Sequence, residues 1–164
     1  MAKAPAPPVA FLFRHPAHLI ACGFGSGLSP IAPGTAGTLF AWLTYPLLRA
    51  YFPDDLWFGG FLVLMFALGV TSCHLTGRQL GVTDHGSIVW DEIVPFWLVL
   101  LLTPDTFYWQ LAAFMLFRYF DITKPQPARY FDQHVKNGFG VMADDLVAAG
   151  YTLLCLALLK IVLS

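Results

Sequence analysis

Two pairs of adjacent acids, Asp91 with Glu92 and Asp144 with Asp145, each stand beside a long apolar run in a chain that carries few charges. The chain has only ten acidic residues. Seven of them, Asp84, Asp91, Glu92, Asp121, Asp132, Asp144 and Asp145, fall in or beside two polar motifs, TDHGSIVWDE (83–92) and RYFDITKPQPARYFDQHVKNGFGVMADDL (118–146). Acids at the edge of hydrocarbon cost free energy, and unpaired they repel one another. A divalent cation removes both penalties. Oxygen-only ligation suits Mg²⁺, which takes one or two carboxylates and fills its shell with waters and substrate phosphate. No Cys/His cluster competes for zinc. Asp91, Glu92, Asp144 and Asp145 are therefore the candidate metal ligands. One such pair alone could be helix N-terminal residues meeting the helix dipole; two pairs on one face favour a shared ion.

Other residues supply what a metal cannot. Asp84, His85 and Asp121 are the candidate catalytic groups, with Asp84 or His85 activating or orienting a water. The stretch GFGSGLSPIAPGTAGTLFAW (23–42) brings glycines and hydroxyls to the start of an apolar helix. Helix N-termini present unpaired N–H groups to anions. Ser29, Gly34, Thr35, Gly37 and Thr38, with Arg118 and Lys124 for positive charge, are the candidate phosphate-binding residues. Arg118 and Asp121, three residues apart, also fit a plain helix-surface ion pair. The glycine loop lacks the GK[ST] ending of an NTPase P-loop. Cys73 precedes Arg78 by one residue too few for a C-x5-R phosphatase, and no D-x-D or G-x-S-x-G motif occurs. Metal-assisted attack of water on phosphorus remains.

The elements that must position these groups are apolar. Hydrophobic residues make up 57% of the 164 positions and charged residues 12%, against roughly 25% charged in an ordinary soluble domain. That composition predicts an integral membrane protein. The net charge of −1 argues against a nucleic-acid partner. Cys22, Cys73 and Cys155 are far apart, in apolar surroundings. The fold expected is all-α, a compact bundle with about five membrane-embedded or membrane-spanning helices over residues 38–48, 57–75, 88–102, 106–120 and 145–163. Residues 17–22 form an expected interfacial helix, residues 1–14 a flexible Pro/Ala-rich tail, and 15–164 a single domain. If all five helices cross, parity puts the three motif loops on one side. Lys3, Arg14, Arg78, Lys124, Arg129 and Lys136 fall on that side, and Arg49 and Lys160 on the other, so the motif side is cytoplasmic.

The blocks GFGSGLSPIAPGTAGT, DHGSIVWDE and GFGVMADDLVAAG, in this order and spacing, closely resemble the three motif blocks of the phosphatidylglycerophosphatase A family. The resemblance runs from His15 to about Tyr151. It implies an all-α, Mg²⁺-dependent enzyme of the bacterial inner membrane, its active site facing the cytoplasm. That enzyme would hydrolyse phosphatidylglycerophosphate to phosphatidylglycerol and inorganic phosphate. Carried onto this sequence, the motif acids are Asp84, Asp91, Glu92, Asp144 and Asp145, with Asp121 and Lys124 between them. A membrane cation transporter is the rival expectation, because intramembrane acids also mark ion paths; it predicts acids deep within helices.

Overall fold

The computed structural model describes residues 4–163, and these are helical with no strand among them. Seven α-helices follow in order: α1 (Pro16–Ala21), α2 (Pro33–Tyr51), α3 (Asp55–Leu80), α4 (Trp90–Leu102), α5 (Phe107–Thr123), α6 (Ala128–His134) and α7 (Gly138–Leu163). Local chemistry sets several of the boundaries. Pro33 opens α2, where its missing N–H costs nothing. The Asp54 carboxylate accepts from the N–H groups of Leu56 and Trp57 to cap α3, which ends on Gly81 in the left-handed region.

The centre of the bundle is α4. Ten of its thirteen residues are buried, and α2, α3, α5 and α7 pack around it. Two indoles fix its rotation. Trp90 Nε1 donates to the Met65 carbonyl of α3 at 3.1 Å, and Trp97 Nε1 to the Ala41 carbonyl of α2 at 2.9 Å. Both tryptophans are core residues.

The expectation is about five membrane-embedded or membrane-spanning helices; two of them are candidate spans. Only α3 and α7 among the described residues are long and apolar enough to cross a membrane. The reason lies in α4: its apolar run is matched to protein neighbours, and thirteen residues rise only about 20 Å, short of a hydrocarbon core of about 30 Å. Both candidate spans are less than one-third buried, and α2 and α5 likewise expose Leu43, Leu47, Met115 and Tyr119. Apolar side chains left open over this much surface suit a lipid surround.

Within the segment read as a tail, Val9–Arg14 form a 3₁₀ helix that buries Phe11 and Leu12. Phe11 stacks on His18, whose Nδ1 pairs with Thr76 Oγ1 at 2.9 Å. The expected interfacial helix is α1, and it packs on α3. The polar motifs gather at one end of the bundle, formed by the starts of α2, α4 and α7 and the ends of α3 and α5. At the other end Arg49 pairs with Asp55 at 2.6 Å.

Candidate active site

A cavity of about 780 Å³ opens at the polar end. Pro33, Gly34 and Thr35 of α2 line it, with Asp84, His85 and Gly86 from the loop before α4. Asp91 and Glu92 of α4, and Arg118, Asp121 and Ile122 of α5 with the adjoining Lys124, complete the wall. Ala4 also reaches it.

The acid pairs arrive by different routes. Asp91 and Glu92 lie in the first turn of α4. Asp144 and Asp145 lie two turns inside α7, because that helix begins at Gly138, so they cap no helix end. Gly138 lets α7 start there: a Cβ at this position would collide with the Val70 carbonyl of α3. Bringing α7 this close to α3 and α4 carries Asp145 to the α4 acids. One oxygen from each of Asp91, Glu92 and Asp145 lies within 4.8 Å of the other two. All three side chains are buried, and Asp91 Oδ1 and Glu92 Oε2 have no hydrogen-bond partner in the protein. At an effective dielectric of about 20, like charges at that spacing repel by about 3 kcal/mol per pair. A set of buried oxygen donors with orphaned lone pairs fits a hard divalent cation.

Asp144, expected in the same shell, turns elsewhere. Its carboxylate pairs with the Lys124 ammonium, which also holds Asp132 at 2.9 Å and Asp84 at 3.8 Å. Burial alone would lower the Lys124 pKa, but the Asp144 and Asp84 carboxylates outweigh it and hold the ammonium well above its ordinary value. Lys124 is thus surrounded by carboxylates rather than held free for a phosphate. Asp132 was not among the expected site residues. Eight positions from Lys124 across two prolines, it has no periodic relation that would reveal the pair.

Arg118 is shared. Its Nη1 contacts Asp121 at 2.5 Å, Thr38 Oγ1 at 3.3 Å and Glu92 Oε1 at 3.5 Å, while its buried Nε has no partner in the protein. His85 is buried, and its Nδ1 accepts from the Ser87 N–H at 3.1 Å. Burial lowers the His85 pKa, with Asp84 opposing in part, so the ring is neutral near pH 7. With Nδ1 accepting, the proton of the neutral ring sits on Nε2.

The glycine loop divides. Gly34 and Thr35 line the cavity, and a Cβ on Gly34 would strike Glu92 Oε1. Thr38 donates to the Gly34 carbonyl and receives Arg118. Gly37 instead faces Val89, and Ser29 Oγ donates to the Ile31 carbonyl of its own loop at 2.8 Å. Ser29 and Gly37 therefore belong to packing and loop structure, not to the cavity wall.

A helical bundle with open apolar flanks and one polar cavity of buried carboxylates beside an arginine defines a class of protein: an apolar helical bundle with a charged site at one end. The model of the phosphatidylglycerophosphatase A family matches residues 19–160, and the chain belongs to that family. It is similar to the phosphatidylglycerophosphatase A of Escherichia coli (strain K12), 46% identical over 82% of this chain and 77% of that protein. It is likewise similar to the phosphatidylglycerophosphatase A of Haemophilus influenzae, 48% identical over 85% of this chain and 86% of that one. A third relative, from Bacteroides thetaiotaomicron, is 40% identical over 89% of this chain and 94% of its own, and is provisionally named a phosphatidylinositol-3-phosphatase. No solved structure matches the chain.

Proposed function

We propose that this chain is a Mg²⁺-dependent lipid phosphatase of bacterial phospholipid biosynthesis, seated in the inner membrane with its cavity toward the cytoplasm. It hydrolyses phosphatidylglycerophosphate to phosphatidylglycerol and inorganic phosphate. The observation that carries this is the convergence of Asp91, Glu92 and Asp145, two of them with unpartnered oxygens, beside an arginine and a helix N-terminus. The relatives' names agree on the substrate class, a lipid bearing a phosphate ester.

Asp91, Glu92 and Asp145 would hold the ion. When bound, Mg²⁺ supplies positive charge that polarises a phosphoryl oxygen and makes a nearby water more acidic. The protein's own groups do the remainder. Gly34 and Thr35 line the cavity in the first turn of α2, where N–H groups have no intrahelical acceptors and suit a phosphate. Arg118, steadied by Asp121 and Glu92, neutralises charge from the α5 side. His85 donates from Nε2 and so orients rather than accepts. Asp84, half-exposed at the cavity wall, is the group that takes the attacking water's proton.

The test is phosphate release by purified protein in mixed micelles, with Mg²⁺ or with chelator. The panel is phosphatidylglycerophosphate, phosphatidic acid and phosphatidylinositol-3-phosphate. Release that needs Mg²⁺ and is fastest from phosphatidylglycerophosphate is expected. Cation flux in liposomes without phosphate release would favour a transporter instead.

A further inference from the structure

The polar cavity does not end as a closed cup. Thr35 of α2 and Ile122 of α5 stand in its wall. One turn below Thr35 on α2 lies Leu39, 45% exposed; below Ile122 on α5 lies Met115, 63% exposed. Two levels of side-chain contact join α2 and α5. Arg118 reaches Thr38 near the cavity. About one turn further down, Trp42 stacks between Phe107 and Phe114 and donates from Nε1 to Gln110 Oε1 at 2.7 Å. The seam therefore carries exposed apolar side chains on both helices beside an aromatic contact, with the polar cavity at its upper end.

A second apolar cavity, of about 250 Å³, lies between α3, α4 and α7, lined by Leu62, Val63, Phe66, Val94, Leu98 and Leu146 among others. It shares no lining residue with the polar cavity. A molecule with a phosphate in the polar cavity and its hydrocarbon in the protein has the α2–α5 seam as its continuous path.

We infer that the seam between α2 and α5 seats the acyl chains of the substrate lipid, with Leu39 and Met115 as its lips and Trp42 as its floor. This rests on the lipid phosphatase proposal. The lipid slides in sideways from the leaflet, its phosphate leading, and its hydrocarbon never crosses the polar end of the bundle. The seam distinguishes a two-chain lipid from a free phosphate ester by apolar contact alone, since none of its exposed side chains is charged. Burial of methylene groups against Leu39, Trp42 and Met115 then contributes to binding and leaves the chemistry at phosphorus unaltered.

The experiment compares phosphate release from long-chain phosphatidylglycerophosphate with release from its water-soluble dihexanoyl analogue. Leu39→Asn and Met115→Asn are each expected to lower kcat/KM about tenfold on the long-chain lipid, the scale of a lost contact with one methylene or so, through KM. On the dihexanoyl substrate both should match the parent protein. Val63→Asn, in the other apolar cavity, should match it on both. Equal losses on the two substrates, no loss on the long-chain one, or a chain-length-dependent loss in Val63→Asn would each overturn the inference. A lipid carrying a photoreactive group in its acyl chain gives a measurement free of variants. Labelling should fall on α2 and α5 and be displaced by unlabelled substrate; labelling of α3 displaced in the same way overturns the inference. If the parent protein releases phosphate from neither substrate, the phosphatase proposal itself fails, and the seam with it. If it cleaves the dihexanoyl analogue as well as the long-chain lipid, only the seam fails.

Discussion

Two groups of three carboxylates sit side by side at the polar end, and they are neutralised differently. Asp84, Asp132 and Asp144 surround the Lys124 ammonium. Asp91, Glu92 and Asp145 face one another, with Arg118 reaching only Glu92. In the first group the buried Asp144 has an ammonium partner within the chain, and Asp84 and Asp132 reach solvent. The second is left short of positive charge and with unsatisfied oxygens. Buried charge without a partner is expensive, and the proposed ion is what would complete this second group. Asp144 and Asp145 are neighbours in sequence, yet the helix turns one toward the Lys124 ammonium and the other toward Asp91 and Glu92.

The largest effect should come from the uncompensated group. Asp91→Asn and Asp145→Asn are expected to reduce phosphate release about a thousandfold, because an ion worth several kcal/mol to the reaction loses its hold. Their melting temperatures without Mg²⁺ should equal or exceed the parent's, since a like-charge repulsion is relieved. Mg²⁺ should raise the melting temperature of the parent protein and not of the variants. A large stability loss in these variants would give Asp91 and Asp145 a structural role and end the contrast.

Lys124→Met tests the other side. It leaves the buried Asp144 carboxylate without its partner, which should destabilise the protein by about 3 kcal/mol, read by denaturant unfolding in detergent. Adding Asp144→Asn should recover most of that loss. If unfolding is unchanged and only KM rises, Lys124 is a phosphate clamp after all.

Gly34→Ala sharpens the boundary between cavity and scaffold. Its methyl would press on Glu92 Oε1 and the Arg118 guanidinium, both ends of flexible side chains. About a tenfold fall in kcat/KM with little change in melting temperature is expected. A methyl on Gly37 would meet the Cβ of Val89, which cannot swing aside, and should cost stability instead.

The smallest effect concerns His85. Its folded-state pKa is lowered by burial, so its contribution to stability is full above the ordinary value of about 6.5 and is lost as pH falls through the folded value. His85→Gln should flatten the pH dependence of unfolding between pH 7.5 and 5. An unchanged slope would show that the ring is not buried as a neutral group.

The helical class, the gathering of motifs at one end and the pairing of Asp91 with Glu92 were legible because each depends on local pattern: apolar runs, turn residues and the parity of connections. The number of spans was not. An apolar run such as 93–102 reads alike whether lipid or protein covers it, and α4 proved to be the helix the others enclose. The glycine loop was legible as a place of close approach, but not which glycine meets the cavity and which meets Val89. The start of α7 at Gly138 was missed too, and with it the depth of Asp144 and Asp145.

Composition and spacing alone determined that this chain is helical and apolar, and that it carries acids where acids are costly. Those properties follow from backbone periodicity and transfer free energies, which act residue by residue. Only the tertiary structure decided which acids share a partner. Asp144 and Asp145 differ in no local property, but side chains one residue apart point about 100° apart around a helix. The helices packed on each side, α4 with its own acids and α5 with Lys124 at its end, then fix one carboxylate on an ammonium and the other facing Asp91 and Glu92.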